Sequence, residues 1–176
     1  MQQIEIEDPP AALAWPYAAI LLGELLALGH LVATSRGRPP LSYELGWLGF
    51  GSMLVMQLYS IRRRVRALRA FGSLRAWLDL HVFLGLQGFV LVAYHSVGIS
   101  PRASLAAINF ALVATVVGTG VVGRYLYRLI PRTPGSHALE LAGRLGAGWT
   151  VLHRPLAILL LAITTLHILA HFAYAV

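Results

Sequence analysis

The sequence contains no cysteine and no lysine, and charged residues occupy only 12% of its 176 positions. Without cysteine the chain can form no disulfide, no thiolate-ligated zinc or iron–sulfur site, and no haem attachment of the C-x-x-C-H kind. Any metal must therefore be held by other side chains. The seven histidines are the remaining candidates.

Apolar residues dominate what is present. The AVILMFWYC set accounts for 57% of the chain, which also has 17 glycines and a mean hydropathy of +0.69. Soluble domains reach about 45–50% when glycine is counted with the apolar residues. A chain of 19.1 kDa is too small to bury such an excess in one aqueous core. The composition predicts an all-α integral membrane protein.

Five apolar stretches are each close to the ~20 residues that a membrane-crossing helix needs. Proline, glycine and serine separate them, and the first is longer than the core of a signal peptide, so we expect it to be retained. The sequence predicts one domain over residues 1–176, a bundle of five transmembrane helices. Their approximate bounds are 11–34, 41–61, 77–98, 103–127 and 149–176.

The 14 arginines lie between these stretches, a pattern typical of membrane topology and not of nucleic-acid binding. With five crossings, eleven arginines fall on the side of the N-terminus and three on the other side. The positive-inside rule then predicts a cytoplasmic N-terminus and a periplasmic or external C-terminus. The exclusive use of arginine is associated with GC-rich bacterial genomes, so the expected location is a bacterial inner membrane.

The segment 61–77 alternates arginine with apolar residues, which favours a short helix in the cytoplasmic interface. Its arginines have two interpretations. They fix topology and contact anionic lipid, or Arg69 or Arg75 pairs with an anionic group of a bound cofactor.

Four histidines form two matching pairs along the chain. His81 and His95 belong to the third stretch, His153 and His167 to the fifth, and each pair is 14 residues apart. Fourteen residues turn a helix through 1400°, only 40° short of four turns, and advance it by ~21 Å. The third and fifth helices run parallel if each stretch crosses the membrane. His81 and His153, the inner pair, then share one depth, and His95 and His167, the outer pair, share another.

Two imidazoles that face each other across a helix interface can bind a haem iron from both sides. We therefore predict that the inner and outer pairs are the metal ligands of two haems between the third and fifth helices. Gly88 lies midway between His81 and His95 and has two interpretations, clearance for a cofactor or close packing of helices.

The stretch from Trp77 to His95, the His153-Arg-Pro motif leading to His167, and the run 123–131 resemble the bis-haem transmembrane domain of ferric reductases and NADPH oxidases. The resemblance covers approximately residues 75–172. It implies two b-type haems, one on His81 and His153 and one on His95 and His167, that pass single electrons through the bilayer.

The chain departs from that family in two ways. It has five predicted crossings where the family has six, and no G-x-G-x-x-G motif in a strand-to-helix context for a nucleotide. We therefore expect electron transfer as a membrane subunit of a redox complex without a catalytic domain of its own. A quinone or a partner subunit would supply the donor and the acceptor.

Two other functions are alternatives to electron transfer. One is a haem-free membrane anchor or assembly subunit, whose histidines bind a metal or hydrogen-bond between helices. The other is a transporter, which needs paired charges at mid-membrane, whereas only Glu24 is predicted near that depth.

Two further histidines are expected near the external interface. His171 lies 18 residues after His153, five full turns, and therefore on the same helix face. His30 ends the first stretch at a similar depth. The pair could hydrogen-bond a quinone head group, ligate a third haem, or contact water and backbone at the membrane edge. His137 is left without a role.

Overall fold

The computed structural model of the chain describes residues 15–98, 104–129 and 137–174, and these residues contain helices but no strand. The predicted all-α class is thereby confirmed. In chain order the helices are α1 (Trp15–Thr34), α2 (Ser42–Val55), α3 (Leu58–Arg64), α4 (Leu74–His95), α5 (Leu105–Leu129) and α6 (His137–Tyr174), with a short 3-10 helix, Arg66–Ala70, before α4.

Four of the described helices are long and apolar enough to cross a membrane, with mean hydropathies between 1.6 and 2.1 over these spans. Four of the five predicted crossings correspond to them, so the chain is a multi-pass membrane protein by length and composition. The predicted ends at 11–14, 103 and 175–176 lie outside the described residues. The four spans are Trp15–Thr34, Leu74–His95, Leu105–Arg124 and Val151–Tyr174.

The second predicted crossing, 41–61, is wrong as a single helix. α2 has 14 residues and α3 has seven, and between them the backbone changes from α-helical to 3-10 hydrogen bonding. There the N–H of Gln57 donates to Leu54 O at 3.0 Å and that of Tyr59 to Met56 O at 3.3 Å, both across three residues instead of four. Such 3-10 bonding interrupts an α-helix without reversing it. α2 alone rises about 21 Å, less than the ~30 Å hydrocarbon core.

α1 and α4 run in the same direction. Tyr17 of α1 stacks on Phe83 of α4 with ring centroids 4.7 Å apart, and further along both helices Gln87 donates to Glu24 at 2.7 Å. α2, in contrast, runs antiparallel to α4, because its first residue contacts the end of α4 and its last turn contacts His81.

α5 is antiparallel to both α4 and α6, so α4 and α6 run parallel. Within each helix pair, residues later in one helix meet residues earlier in the other. Four side-chain contacts show this: Asp79 with Arg124 and Phe89 with Phe110 between α4 and α5, and Thr119 with His153 and Asn109 with Thr164 between α5 and α6.

The buried apolar core is small and lies where α2, α5 and α6 approach α4. Its fully buried members are Met53, Met56, Val113, Val116 and Leu160. Many large apolar side chains point outward instead, such as Leu26 at 67% exposure and Ile158 at 71%. A contiguous apolar exterior of this kind is unfavourable in water and is the normal surface of a protein in lipid.

The segment between α3 and α4 is held by Arg62, which is buried at 6% exposure. Its Nη2 donates to Gly72 O at 2.6 Å, and its guanidinium lies 5.9 Å from the ring centre of Trp77. Arg62 is therefore a structural residue and not a lipid contact, because its side chain is buried and donates hydrogen bonds to main-chain carbonyls of the loop. Arg75 is exposed, and the side chain of Arg69 lies outside the described part of the chain.

Glycines allow α2 and α4 to pack closely. A Cβ at Gly49 would lie 2.9 Å from Val92 Cγ2 and 3.3 Å from the carbonyl oxygen of Gly88. The second of these neighbours is backbone and cannot turn away, so α2 would have to move.

We expect Gly49→Ala to lower the free energy of unfolding by about 1–3 kcal/mol, the usual cost of overpacking. Gly51→Ala is the matched control on the same helix, because no atom lies within 4 Å of its added Cβ. A titration with denaturing detergent, followed by circular dichroism, measures both variants. Equal stability of the two variants would show that α2 is free to shift.

Candidate functional site

His81 is oriented by the junction between α2 and α3. Its Nδ1 lies 3.1 Å from the carbonyl oxygen of Met56, and Tyr59 packs on the imidazole at 5.2 Å between centroids. A carbonyl oxygen only accepts hydrogen bonds, so Nδ1 is the donor and a neutral imidazole keeps its lone pair on Nε2. The interruption of the second predicted helix thus orients the His81 imidazole and leaves its Nε2 able to bind a metal.

His95 is oriented in the same way at the other end of α2. Its Nδ1 lies 2.7 Å from Ser42 O, while Ser42 Oγ donates to His95 O at 3.3 Å and accepts from Arg38 Nε at 3.1 Å. The helices can approach here because residue 46 is glycine. A Cβ at Gly46 would lie 2.6 Å from His95 Nδ1.

His153 makes its hydrogen bond to α5 and not to α2. Thr119 Oγ1 donates to Val116 O at 2.8 Å, so its oxygen is left to accept from His153 Nδ1 at 2.9 Å. Trp149 stacks on the imidazole at 5.1 Å and 16° and donates its Nε1 to Thr119 O at 2.6 Å. In His153, as in His81 and His95, Nδ1 is the donor and Nε2 keeps the lone pair.

His167 has no hydrogen-bond partner among the described residues. The structure nevertheless brings it within electrostatic range of His95 and His171, just as His153 lies within range of His81. The inner and outer pairs are therefore two of the three pairs of histidines that lie within electrostatic range of each other among the described residues. All four side chains are half-buried, whereas His30 and His171 are exposed.

Gly88 faces α2. A Cβ there would meet Gly49 O and Met53 Cγ, both at 3.3 Å, and Ser52 Cβ at 3.6 Å. These contacts support helix packing, one of the two interpretations of this glycine. They also explain why a small residue lies midway between His81 and His95.

The structure separates His171 from His30. His171 lies beside Tyr43 of α2, with ring centroids 5.6 Å apart, and the neighbouring Phe172 lies 6.2 Å from Trp47. His30 is on the exposed surface of α1, and no described contact joins it to His171. Tyr43, Trp47, His171 and Phe172 thus form an aromatic cluster, and the predicted pairing of His171 with His30 stays a prediction. The side chain of His137 lies outside the described part of the chain.

Asp79, two residues before His81, faces α5. It forms an ion pair with Arg124 at 2.7 Å, and the two side chains are 15% and 14% exposed. Acidic residues and histidines are both common metal ligands. Among the described residues, however, no three histidine, cysteine or acidic side chains come together as metal ligands.

Sequence reasoning missed the groups that orient the histidines. Ser42 and Met56 act through main-chain carbonyls, which any residue possesses, so no residue type marks them. Thr119 and Gly46 could have been suspected, because a hydroxyl residue and a glycine in apolar helices often lie at helix contacts.

No family model, curated protein or solved structure matches the chain. The likeness to ferric reductases and NADPH oxidases therefore rests on the sequence pattern alone.

The Asp79–Arg124 pair predicts a large loss of stability when one charge is removed. Arg124→Gln leaves a mostly buried carboxylate without its counter-ion, so we expect a loss above the ~1 kcal/mol of an exposed pair and up to about 3–5 kcal/mol. Arg63→Gln is the control, because Arg63 is exposed. Asp79→Asn added to Arg124→Gln should recover part of the loss in a detergent unfolding titration. A double variant less stable than either single variant would contradict this pairing.

Proposed function

We propose that the protein carries electrons across the membrane through two b-type haems, as a membrane subunit of a larger redox complex. His81 and His153 would hold one haem, and His95 and His167 the other. The observation that carries the proposal is the placement of these histidines on two parallel helices, with His153 within electrostatic range of His81 and His167 within range of His95. Three of the four have Nδ1 engaged by an oxygen, which favours Nε2 as the ligand nitrogen.

The donor set suits haem better than a metal ion held by protein alone. A haem iron takes four ligands from its porphyrin and needs two axial ligands from the chain, whereas a protein-only metal site needs three or four. Each histidine pair supplies two. Bound haem provides reversible one-electron chemistry, and the chain provides ligation, spacing and an apolar surrounding.

Hydrogen bonds to Nδ1 have a chemical consequence at a ligand histidine. They fix the ring plane and the tautomer, and they raise the basicity of the nitrogen that binds the metal. Met56 O and Ser42 O do this for α4, and Thr119 Oγ1 does it for α6. His167 is held by no described hydrogen bond, so packing alone orients it.

Five crossings remain our topology proposal, with α2 and α3 together forming the second. The parallel course of α1 and α4 supports it, because the chain must return across the membrane between two parallel crossings. The exposed arginines Arg63, Arg64, Arg66 and Arg75 lie before and at the start of α4. They favour a cytoplasmic start for α1, α4 and α6, an external C-terminus, and a bacterial inner membrane.

The aromatic cluster is our candidate for the site on the outer side where a redox partner exchanges electrons with the outer haem. Tyr43 and His171 offer a phenol and an imidazole next to the outer pair, and Trp47 and Phe172 add flat apolar surface. A lipid-soluble quinone matches this combination, since its ring stacks on aromatics and its carbonyls accept hydrogen bonds. Another subunit would then exchange electrons at the opposite face.

The haem proposal is tested by the reduced-minus-oxidised absorption spectrum of the purified protein. We expect b-type bands and two haems per chain. Variants His95→Ala and His81→Ala should each lose about half of the signal, since each removes one axial ligand. His30→Ala is the matched control and should retain both haems, because His30 is exposed on α1. A wild-type protein without b-type bands, even after haem is supplied, would favour the haem-free anchor instead.

The quinone site predicts a selective kinetic defect. His171→Leu and Tyr43→Phe should slow reduction of the haems by a quinol about five- to tenfold, the equivalent of one hydrogen bond of ~1–1.5 kcal/mol. Reduction by dithionite should be unchanged. Tyr59→Phe, beside His81 at the inner pair, is the control. Unchanged quinol kinetics with normal haem content would exclude this site while leaving the haem proposal intact.

A further inference from the structure

Glu24 is an ionisable side chain in the middle of a membrane-crossing helix. It lies nine residues after the start of α1 and ten before its end, and α1 is one of the four membrane spans. An ionisable group at this depth is costly in hydrocarbon and marks a functional site more often than a structural one. The proposed electron path does not use it.

One oxygen of Glu24 has a partner and the other does not. Gln87 Nε2 donates to Oε1 at 2.7 Å. Oε2 is buried, yet it has no hydrogen-bond partner among the described residues. A carboxylate normally accepts at both oxygens, so a buried oxygen without a donor is a departure that needs a physical reason.

No counter-charge compensates an ionised Glu24 from the helix packed against it. The titratable residues of α4 nearest to Gln87 along the chain are His81, six residues before it, and Tyr94 and His95, seven and eight residues after it, which are about 9 to 12 Å along the axis. The two histidines have their Nδ1 engaged by the main-chain carbonyls of Met56 and Ser42, and the Tyr94 hydroxyl donates to Pro40 O at 2.7 Å. Asp79 gives the contrast, because it has Arg124 at 2.7 Å.

We propose that Glu24 and Gln87 form a proton-binding site midway across the membrane, with the proton on Oε2. Protonation removes the charge from hydrocarbon and leaves Oε1 as a carbonyl oxygen that accepts from Gln87. It also turns the buried oxygen without a donor into a hydroxyl, whose desolvation costs far less than that of a carboxylate oxygen. The ligand of this site is therefore a proton.

A bound proton keeps Glu24 neutral, and its neutrality couples to electron transfer. In a low-dielectric interior a carboxylate would repel an electron, whereas the protonated acid adds no charge, and Gln87 lies between the two histidines of α4 along the chain. That coupling rests on the proposed function. The proton site itself does not, because it follows from the surroundings of Glu24 alone.

Infrared spectroscopy of the membrane-reconstituted protein at neutral pH tests the site directly. A protonated carboxyl group has a C=O stretching band separate from the carboxylate bands. We expect this band in the wild type, its loss in Glu24→Gln, and its retention in Asp79→Asn. Gln87→Leu should shift the band to higher frequency, because the carbonyl loses its donor. Glu24→Gln keeps the size and the acceptor oxygen of the side chain, and circular dichroism confirms that each variant folds.

An ionised Glu24 would give a different infrared result. A Glu24→Gln variant that loses a carboxylate band, with no change in the protonated-acid region, would show that Glu24 is ionised and would overturn the proposal. Neither outcome depends on haem. A protein that lacks haem but shows the protonated band would retain the proton site and refute only the electron-transfer proposal.

Discussion

The close packing of α2 against α4 is the contact on which the rest of the arrangement depends. Gly49 and Gly88 bring the two backbones together, and Gly46 leaves room for His95. Because α2 is antiparallel to α4, its two ends meet the two histidines of α4, and each end presents a carbonyl oxygen to an Nδ1. A wider separation would leave both imidazoles without acceptors in an apolar medium, where an unpaired polar group costs several kcal/mol.

The sequence predicted the helical class, four of the five crossings and the parallel course of the two helices that carry the paired histidines, because those features follow from hydropathy and helical periodicity. It did not predict the interruption at Met56 and Gln57. Neither residue breaks a helix by propensity. The change to three-residue bonding at this point coincides with the contact of the Met56 carbonyl with His81. The same limit applies to His171. Periodicity assigned it a helix face, but its neighbour Tyr43 comes from another helix and could be found only in three dimensions.

Polar groups inside the bundle are satisfied by neighbouring helices more than by solvent. Thr164 donates to Asn109 at 2.8 Å, with both side chains only 8% exposed, and Arg124 meets Asp79. Each pair joins α5 to an adjacent helix, at opposite ends of the bundle. In lipid, apolar contact alone discriminates poorly between helix partners, because lipid tails are as apolar as leucine. These polar pairs therefore give the orientation of α5 a specificity that its valine-rich faces cannot provide.

The two helices that carry the histidine pairs differ in how firmly they hold them. Both histidines of α4 are bonded to main-chain oxygens at the two ends of α2. Of the two paired histidines of α6, His153 is bonded to a threonine hydroxyl, and His167 has no hydrogen bond among the described residues. α6 also contains Pro155, which removes the helical hydrogen bond to the carbonyl of Val151 and weakens the turn beside His153. The histidines of α4 are therefore oriented more firmly than those of α6.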